Sequence, residues 1–191
     1  MPSLNPEKLR ADSARVRELM LSVARERLRN GDVTLPMNAI AKEAGVGVGT
    51  AYRHFESHQV LLEALAADSF AALVSDARAA ERDTDPATGF ARIMRAGLRL
   101  MLADPALAAV MQKSDFACTE TRELSAELFE AFGTVLARAR AAGAVRPDIT
   151  GDDLRRLMCG VQHAVRAGGD DAAERYLGVL LEGLQNRAGS R

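Results

Sequence analysis

Tryptophan is absent and aromatic residues make up 4% of the 191 residues, so the apolar contacts must come mainly from Ala, Leu, Val and Met, as in Ala/Leu-rich helical proteins. Only two cysteines occur, Cys118 and Cys159, in different predicted helices and without metal-ligand spacing. They are read as buried thiols rather than a metal pair or a disulfide. No apolar run is long enough to span a bilayer, and the leading stretch MPSLNPEKLRADSARVRE lacks the apolar core of a signal peptide. A cytoplasmic location with no membrane partner is therefore expected. No GxSxG, HExxH or paired-cysteine pattern occurs, and His163, beside Gln162, has no nucleophile at a motif spacing. Neither an enzyme nor a bound cofactor or metal is expected. Charge of one sign is missing too: the net charge is −1. Its distribution is uneven, with nine Lys and Arg against seven Asp and Glu in residues 1–60, and sixteen against nineteen in the remainder. A modest positive bias in the N-terminal third has the sign that nucleic-acid binding requires.

What is present is hydrophobic material, 48% of residues, which excludes a disordered chain. It is organised around residues 36–55, PMNAIAKEAGVGVGTAYRHF. Ile40, Ala41 and Ala44 share one face of a short helix entered at Pro36, where the missing N–H has no intrahelical partner to lose. Gly45 can take the left-handed conformation that ends the helix, and Val46 pins the turn to a core. Val48 to His54 forms a second short helix with Ala51 and Phe55 inward. Its outer face carries Thr50, Tyr52, Arg53 and His54. This is the pattern of a helix-turn-helix whose second helix enters a DNA groove. The embedded GVGVGT also suggests a phosphate cradle, but it follows the helical segment AIAKEA rather than a strand, and no lysine follows its last glycine. A turn between two structural helices with solvated polar side chains is the plainer alternative.

The run from about Arg15 to Leu65 resembles the DNA-binding segment of TetR-family transcriptional regulators. Thr34, Ile40-Ala41, Ala44-Gly45-Val46, Gly49-Thr50, Tyr52-Arg53-His54-Phe55 and Leu61-Leu62 carry the resemblance, over about a quarter of the chain. One departure is His58, where the family pattern usually has lysine. The resemblance implies DNA contacts by Thr34, Val48, Gly49, Thr50, Tyr52, Arg53, His54 and His58. Thr50, Tyr52 and His58 would hold phosphates, while Arg53 and His54 would read bases. Because an imidazole loses its charge near neutral pH, DNA affinity is expected to weaken as pH rises, and a His58→Lys variant to escape that dependence.

The rest of the chain reads as all-α, with about nine helices. Residues 1–11 read as a flexible leader, and helix 1 begins near Asp12 or Ser13 and ends at Gly31. Ser57 caps a long helix running to about Arg82. Further helices are expected over residues 85–103, 106–111, 121–142, 152–167 and 170–186, separated by DTDP, Asp104-Pro105, the irregular QKSDFACTET, and Gly143 with Pro147-Asp148. Two domains result: residues 12–66, the three-helix DNA-binding domain, and residues 67–188, a helical ligand-binding and dimerisation body.

The last two helices carry more apolar surface than one partner side can cover. The resemblance implies that they pair with their copies in a homodimer, through Gly160, Ala164, Tyr176, Val179, Leu180, Gly183 and Leu184. It also implies a small-molecule effector held in the body, with Phe90, Met94, Met101, Met111, Phe116, Phe129 and Met158 as lining and Gln162 and His163 as polar handles. The expected function is a repressor released by its effector from a palindromic operator on double-stranded DNA. A helical carrier that no longer binds DNA, or a ligand-independent activator or architectural protein, remain as alternatives.

Overall fold

Helix boundaries follow from which groups can satisfy the terminal backbone, and the computed structural model describes residues 6–113 and 115–185. Among the described residues there are nine α-helices and no strand: α1 Pro6–Arg29, α2 Met37–Glu43, α3 Val48–His54, α4 His58–Ala80, α5 Pro86–Ala103, α6 Pro105–Met111, α7 Thr119–Ala141, α8 Gly151–Gly168 and α9 Ala173–Leu184. A single 3-10 turn, Asp170–Ala172, precedes α9. The leader expected over residues 1–11 is corrected in part, since α1 begins at Pro6 and not at Asp12 or Ser13. Pro6 sits where a helix needs no N–H, and Glu7, Lys8, Leu9, Arg10 and Ala11 are all good helix formers. Residues 1–5 of that leader lie outside the described residues.

The chain divides into two compact units, residues 1–65 and 66–191. The first is built on Met20, Leu21, Ala24 and Leu28 of α1, Ile40 and Ala41 of α2, Ala51 of α3, and Phe55, Leu61, Leu62 and Leu65, all buried. The turn out of α2 closes as a Schellman motif: Val46 N–H donates to Ala41 O at 2.9 Å and Gly45 N–H to Lys42 O at 3.2 Å, with Gly45 at φ +69°. Ser57 Oγ accepts from Val60 N–H at 3.2 Å and so caps α4.

A second device fixes α2 against α1. Arg27 Nη2 meets Glu43 Oε1 at 2.5 Å and its Nε meets Glu43 Oε2 at 3.1 Å, while Nη1 meets Asp32 Oδ2 at 2.5 Å. Leu35, fully buried, stands at φ +43° immediately before Pro36, in a left-handed conformation rare for a branched residue. Asp32 organises this bend by accepting from the Thr34 N–H and hydroxyl and from the Leu35 backbone.

These bonds hold the Asp32 carboxyl below its ordinary value, chiefly through the Thr34 hydroxyl, and Glu43 likewise, chiefly through Arg27. A carboxyl with a depressed folded-state pKa contributes stability above its unfolded pKa and loses it as pH falls through the folded one. Amide exchange in the α1–α2 segment is therefore expected to accelerate as pH drops below the ordinary carboxylate range, after correction for intrinsic rates. An Asp32→Asn, Glu43→Gln double variant should lose that acid dependence; if it kept the parental profile, the network would not be its source.

In the second unit, α5 packs against α6, α7, α8 and α9, and α8 also packs against α6, α7 and α9. Asp85 caps α5 by accepting from Ala87 and Thr88 N–H, and Asp104 does the same for α6 at Ala106 and Leu107. That cap starts α6 at Pro105. Thr150 and Asp153 form a reciprocal capping box for α8. Arg138 of α7 donates to the carbonyls of Glu81 and Asp83, closing the end of α4. A Cβ on Gly89 would lie 2.9 Å from Ala80 O, so only glycine lets α5 start this close to α4.

Candidate functional site

In the first unit the fully buried Ala51 and Phe55 anchor α3 and its exit, leaving Val48 and Tyr52 each 45% exposed, with Arg53 also outward. Thr50 and His54 are half-buried beside them, and a Cβ on Gly49 would meet open space. α3 thus presents a hydroxyl, a phenol, a guanidinium and an imidazole from one short helix. Arg53 is folded onto its own helix, donating from Nε to Gly49 O at 3.2 Å and from Nη2 to Thr50 Oγ1 at 3.3 Å. Reading a base edge bidentately through Nε and Nη2 requires the guanidinium to leave these acceptors.

Two expected contact residues lie in other settings. Thr34 is exposed, but its hydroxyl faces the Asp32 carboxylate at 2.6 Å and must donate to it, so that proton is not available to a phosphate. His58 opens α4 half-buried, with Nε2 out of contact with solvent. A phosphate contact through that nitrogen requires the ring to turn outward.

The second unit contains two adjoining chambers. The first, about 70 Å³, lies between α5, α7 and α8 and is lined by Leu73, Ile93, Met94, Gly97, Met101, Phe132, Leu154 and Met158 among others. The second, about 180 Å³, is bounded by Phe70, Phe116, Ser125, Lys113 and Asp152. Met111, Leu128, Phe129 and Arg155 line both. Of the residues expected to line a ligand site, Met94, Met101, Met111, Phe129, Met158 and Phe116 surround these chambers, whereas Phe90, Gln162 and His163 do not. Gln162 is buried elsewhere in α8 and His163 is exposed.

The one polar residue that lines both chambers is Arg155, which sequence reasoning missed. Its Nη1 donates to Met111 O at 2.9 Å, and Nε and Nη2 donate to Asp152 Oδ1 at 3.0 and 2.7 Å. An arginine one position from the inward Leu154 was the only signal, and it looks like any solvated helix charge.

Neither cysteine is fully buried, in contrast to the expectation, and the two are not joined as a disulfide. Cys159 has its thiol pushed up by burial and points toward Met111 O at 3.9 Å. Among the described residues no group of three or more His, Cys, Asp and Glu could hold a metal ion, and no helix is long and apolar enough to cross a membrane.

On the residues proposed for pairing, α8 and α9 divide their faces. Leu154, Met158, Gln162 and Val165 point inward, as do Leu177 and Leu184. Leu184 is thus core in the protomer. Gly160, Ala164, Val179 and Gly183 are exposed, and Tyr176 and Leu180 are half-buried. Leu157 is 40% exposed and lies on the same α8 face as Gly160 and Ala164.

Comparison with known proteins accounts for both units. Residues 21–65 match the family model described as bacterial regulatory proteins, tetR family, and residues 85–186 match the SbtR-like transcriptional regulator C-terminal domain. A helix-turn-helix transcriptional regulator of Staphylococcus aureus, SAR0097, is 41% identical over 63 residues, 32% of this chain. The matched stretch spans 33% of that relative's length. The TetR transcriptional regulator SCO0520 of Streptomyces coelicolor is 27% identical, with 90% of this chain and 99% of that one covered and a TM-score of 0.54. RolR, solved with resorcinol, shares the fold at 19% identity and a TM-score of 0.60, with 93% of this chain and 91% of RolR covered. The chain belongs to the TetR family of bacterial regulatory proteins, DNA-binding helix-turn-helix regulators of transcription, with a C-terminal domain of the SbtR-like type.

Proposed function

We propose that the protein is a homodimeric repressor that leaves a palindromic operator when a small molecule occupies the cavity of its second unit. The observation that carries the reading is the pair of built sites in one chain. One is an outward α3 bearing Tyr52, Arg53 and His54; the other is an apolar cavity walled by α5, α7 and α8. Val48, Gly49 and Thr50 would lie near base edges, with Thr50, Tyr52 and His58 toward phosphates, His58 after its ring turns outward. A ligand that releases DNA must bind the DNA-free state better, and the operator must weaken ligand binding by the same factor. RolR, the solved relative holding resorcinol, supports a ligand in a chain of this fold.

The outward strip of Leu157, Gly160, Ala164, Val179 and Gly183, edged by Tyr176 and Leu180, supports pairing with a second copy, since small residues let helices approach closely. A two-fold dimer presents two copies of α3 to a symmetric site.

Selection of genomic fragments with the purified protein, followed by footprinting at stated near-physiological salt, tests the reading. A protected palindrome overlapping a promoter is the expected result; retention without a discrete footprint would favour architectural binding, and no retention would remove the DNA-binding role. On the operator so found, Arg53→Ala is expected to cost about 1–3 kcal/mol on the cognate duplex and much less on random duplex. Equal losses on both would assign Arg53 to phosphate rather than base contact.

A further inference from the structure

The two chambers are unlike in polarity, and one side chain stands between them. The inner chamber, the one between α5, α7 and α8, offers methionine, leucine, isoleucine, phenylalanine, Gly97 and Gly151, with Arg155 as its one charged lining residue. The outer chamber adds Lys113 and Ser125, and its charged lining is Lys113 and Arg155 against Asp152. Arg155 is 16% exposed, and Asp152 divides its charge between Arg155 and Arg156, at 2.7 and 2.6 Å. The neighbourhood therefore keeps an excess of positive charge. Three of the five guanidinium N–H groups of Arg155 are engaged, which leaves two to donate.

Each chamber alone is well below the roughly 300–1,000 Å³ of organic-ligand pockets, and even together they offer only about 250 Å³, so a ligand of this cavity is small and must use both chambers. The shared wall permits that. Met111 is unbranched and adaptable, and Phe129 is 48% exposed and can swing outward. A molecule bridging the wall would put an apolar body among α5, α7 and α8 and an acceptor group beside Arg155.

The geometry points to an apolar carboxylate as the effector: an aryl or alkyl body in the inner chamber, with its carboxylate on Arg155. This rests on the proposal that the cavity holds an effector, and it goes beyond it by assigning the ligand's charge. A half-buried cation with two N–H groups left to donate favours an anionic acceptor over a neutral one, because charge-assisted hydrogen bonds are shorter and about twice as strong. A ligand with a cationic group would meet the same excess positive charge and be rejected.

The test is calorimetric titration of the full-length protein with phenylacetate and decanoate, each against its amide, phenylacetamide and decanamide. At least one acid is expected to bind about 10- to 100-fold tighter than its amide, and Arg155→Gln to remove that preference while the amide still binds. Persistence of amide binding shows that the variant cavity is intact, so the loss cannot be put down to misfolding. Gly97→Ala adds a methyl facing Leu73 and Met158 at ordinary contact distances, 3.7 and 3.8 Å, and should weaken acid and amide by a common factor. Acid and amide binding alike, a preference that survives Arg155→Gln, or no binding by any of the four probes would each overturn the inference. Failure of the repressor reading looks different: the acid would bind with its Arg155-dependent preference yet leave the operator complex intact. Release of DNA by uncharged compounds alone would keep that reading and overturn the carboxylate assignment.

Discussion

Phe55→Ala is expected to abolish operator binding by loosening α3, at a cost of about 3–5 kcal/mol. Phe55 is fully buried at the residue that ends the recognition helix, and its N–H closes that helix by donating to Ala51 O at 2.9 Å. The Arg17 guanidinium lies 4.8 Å from the ring centroid, adding a cation–π contact from α1. Removing the ring thus empties a fully buried site between α1 and the end of α3 in the first unit. A unit of 65 residues buries a smaller share of its unfolded surface than a larger domain does and has little stability in reserve. Amide exchange should collapse across residues 20–65 with much less change in the second unit, and Phe55→Leu should recover part of the protection. Parental protection and operator affinity in Phe55→Ala would remove the ring from any role in holding α3.

The second large effect is expected at the outward strip of α8 and α9. Leu157→Glu combined with Val179→Glu should convert the proposed dimer to a monomer and lower operator affinity by about 10²–10⁴-fold, the gain that linking two binding modules supplies. Both residues are exposed in the single chain, at 40% and 67%, so neither change opens a cavity in the protomer. Glutamate is a good helix former, and the protomer should keep its helical content. Sedimentation and a half-site duplex separate the possibilities. The monomer should bind one half-site as the parent protomer does and lose only the tight engagement of the full site. A variant that stays dimeric would move the interface away from this strip.

How far the sequence could be read depended on whether a residue's consequence was local. The recognition helix was legible to the residue, Val48–His54, because Gly45 can turn left-handed and because Ala51 and Phe55 fall on one face. The cap by Ser57 was legible for the same reason. The start of α1 was not, since Asp12 and Ser13 look like caps while nothing local says that Pro6 has already begun the helix. Arg27 joins Asp32 and Glu43 across 5 and 16 residues, which no periodicity reports. Leu35 was hidden more deeply, because a leucine at positive φ contradicts its own preference and is held there by Asp32 and the core. At the cavity, the methionines had been named on what the family resemblance implies, but Arg155 depends on the carbonyl of Met111, 44 residues away. Leu157 turned outward because α8 buries a narrower stripe than its apolar residues suggest.

The folded-back Arg53 bears on how quickly such a protein can find its site. Its guanidinium is stowed on Gly49 and Thr50, so an encounter with random duplex need not disturb it. Contacts to the DNA backbone would then hold the protein loosely enough to slide and hop. Only a base pair offering a paired acceptor edge repays the unstowing. The side chain would act as a latch between two modes of motion, rapid travel along DNA and arrest at the operator, with the lifetime of the stowed state setting how many base pairs are passed before one is read.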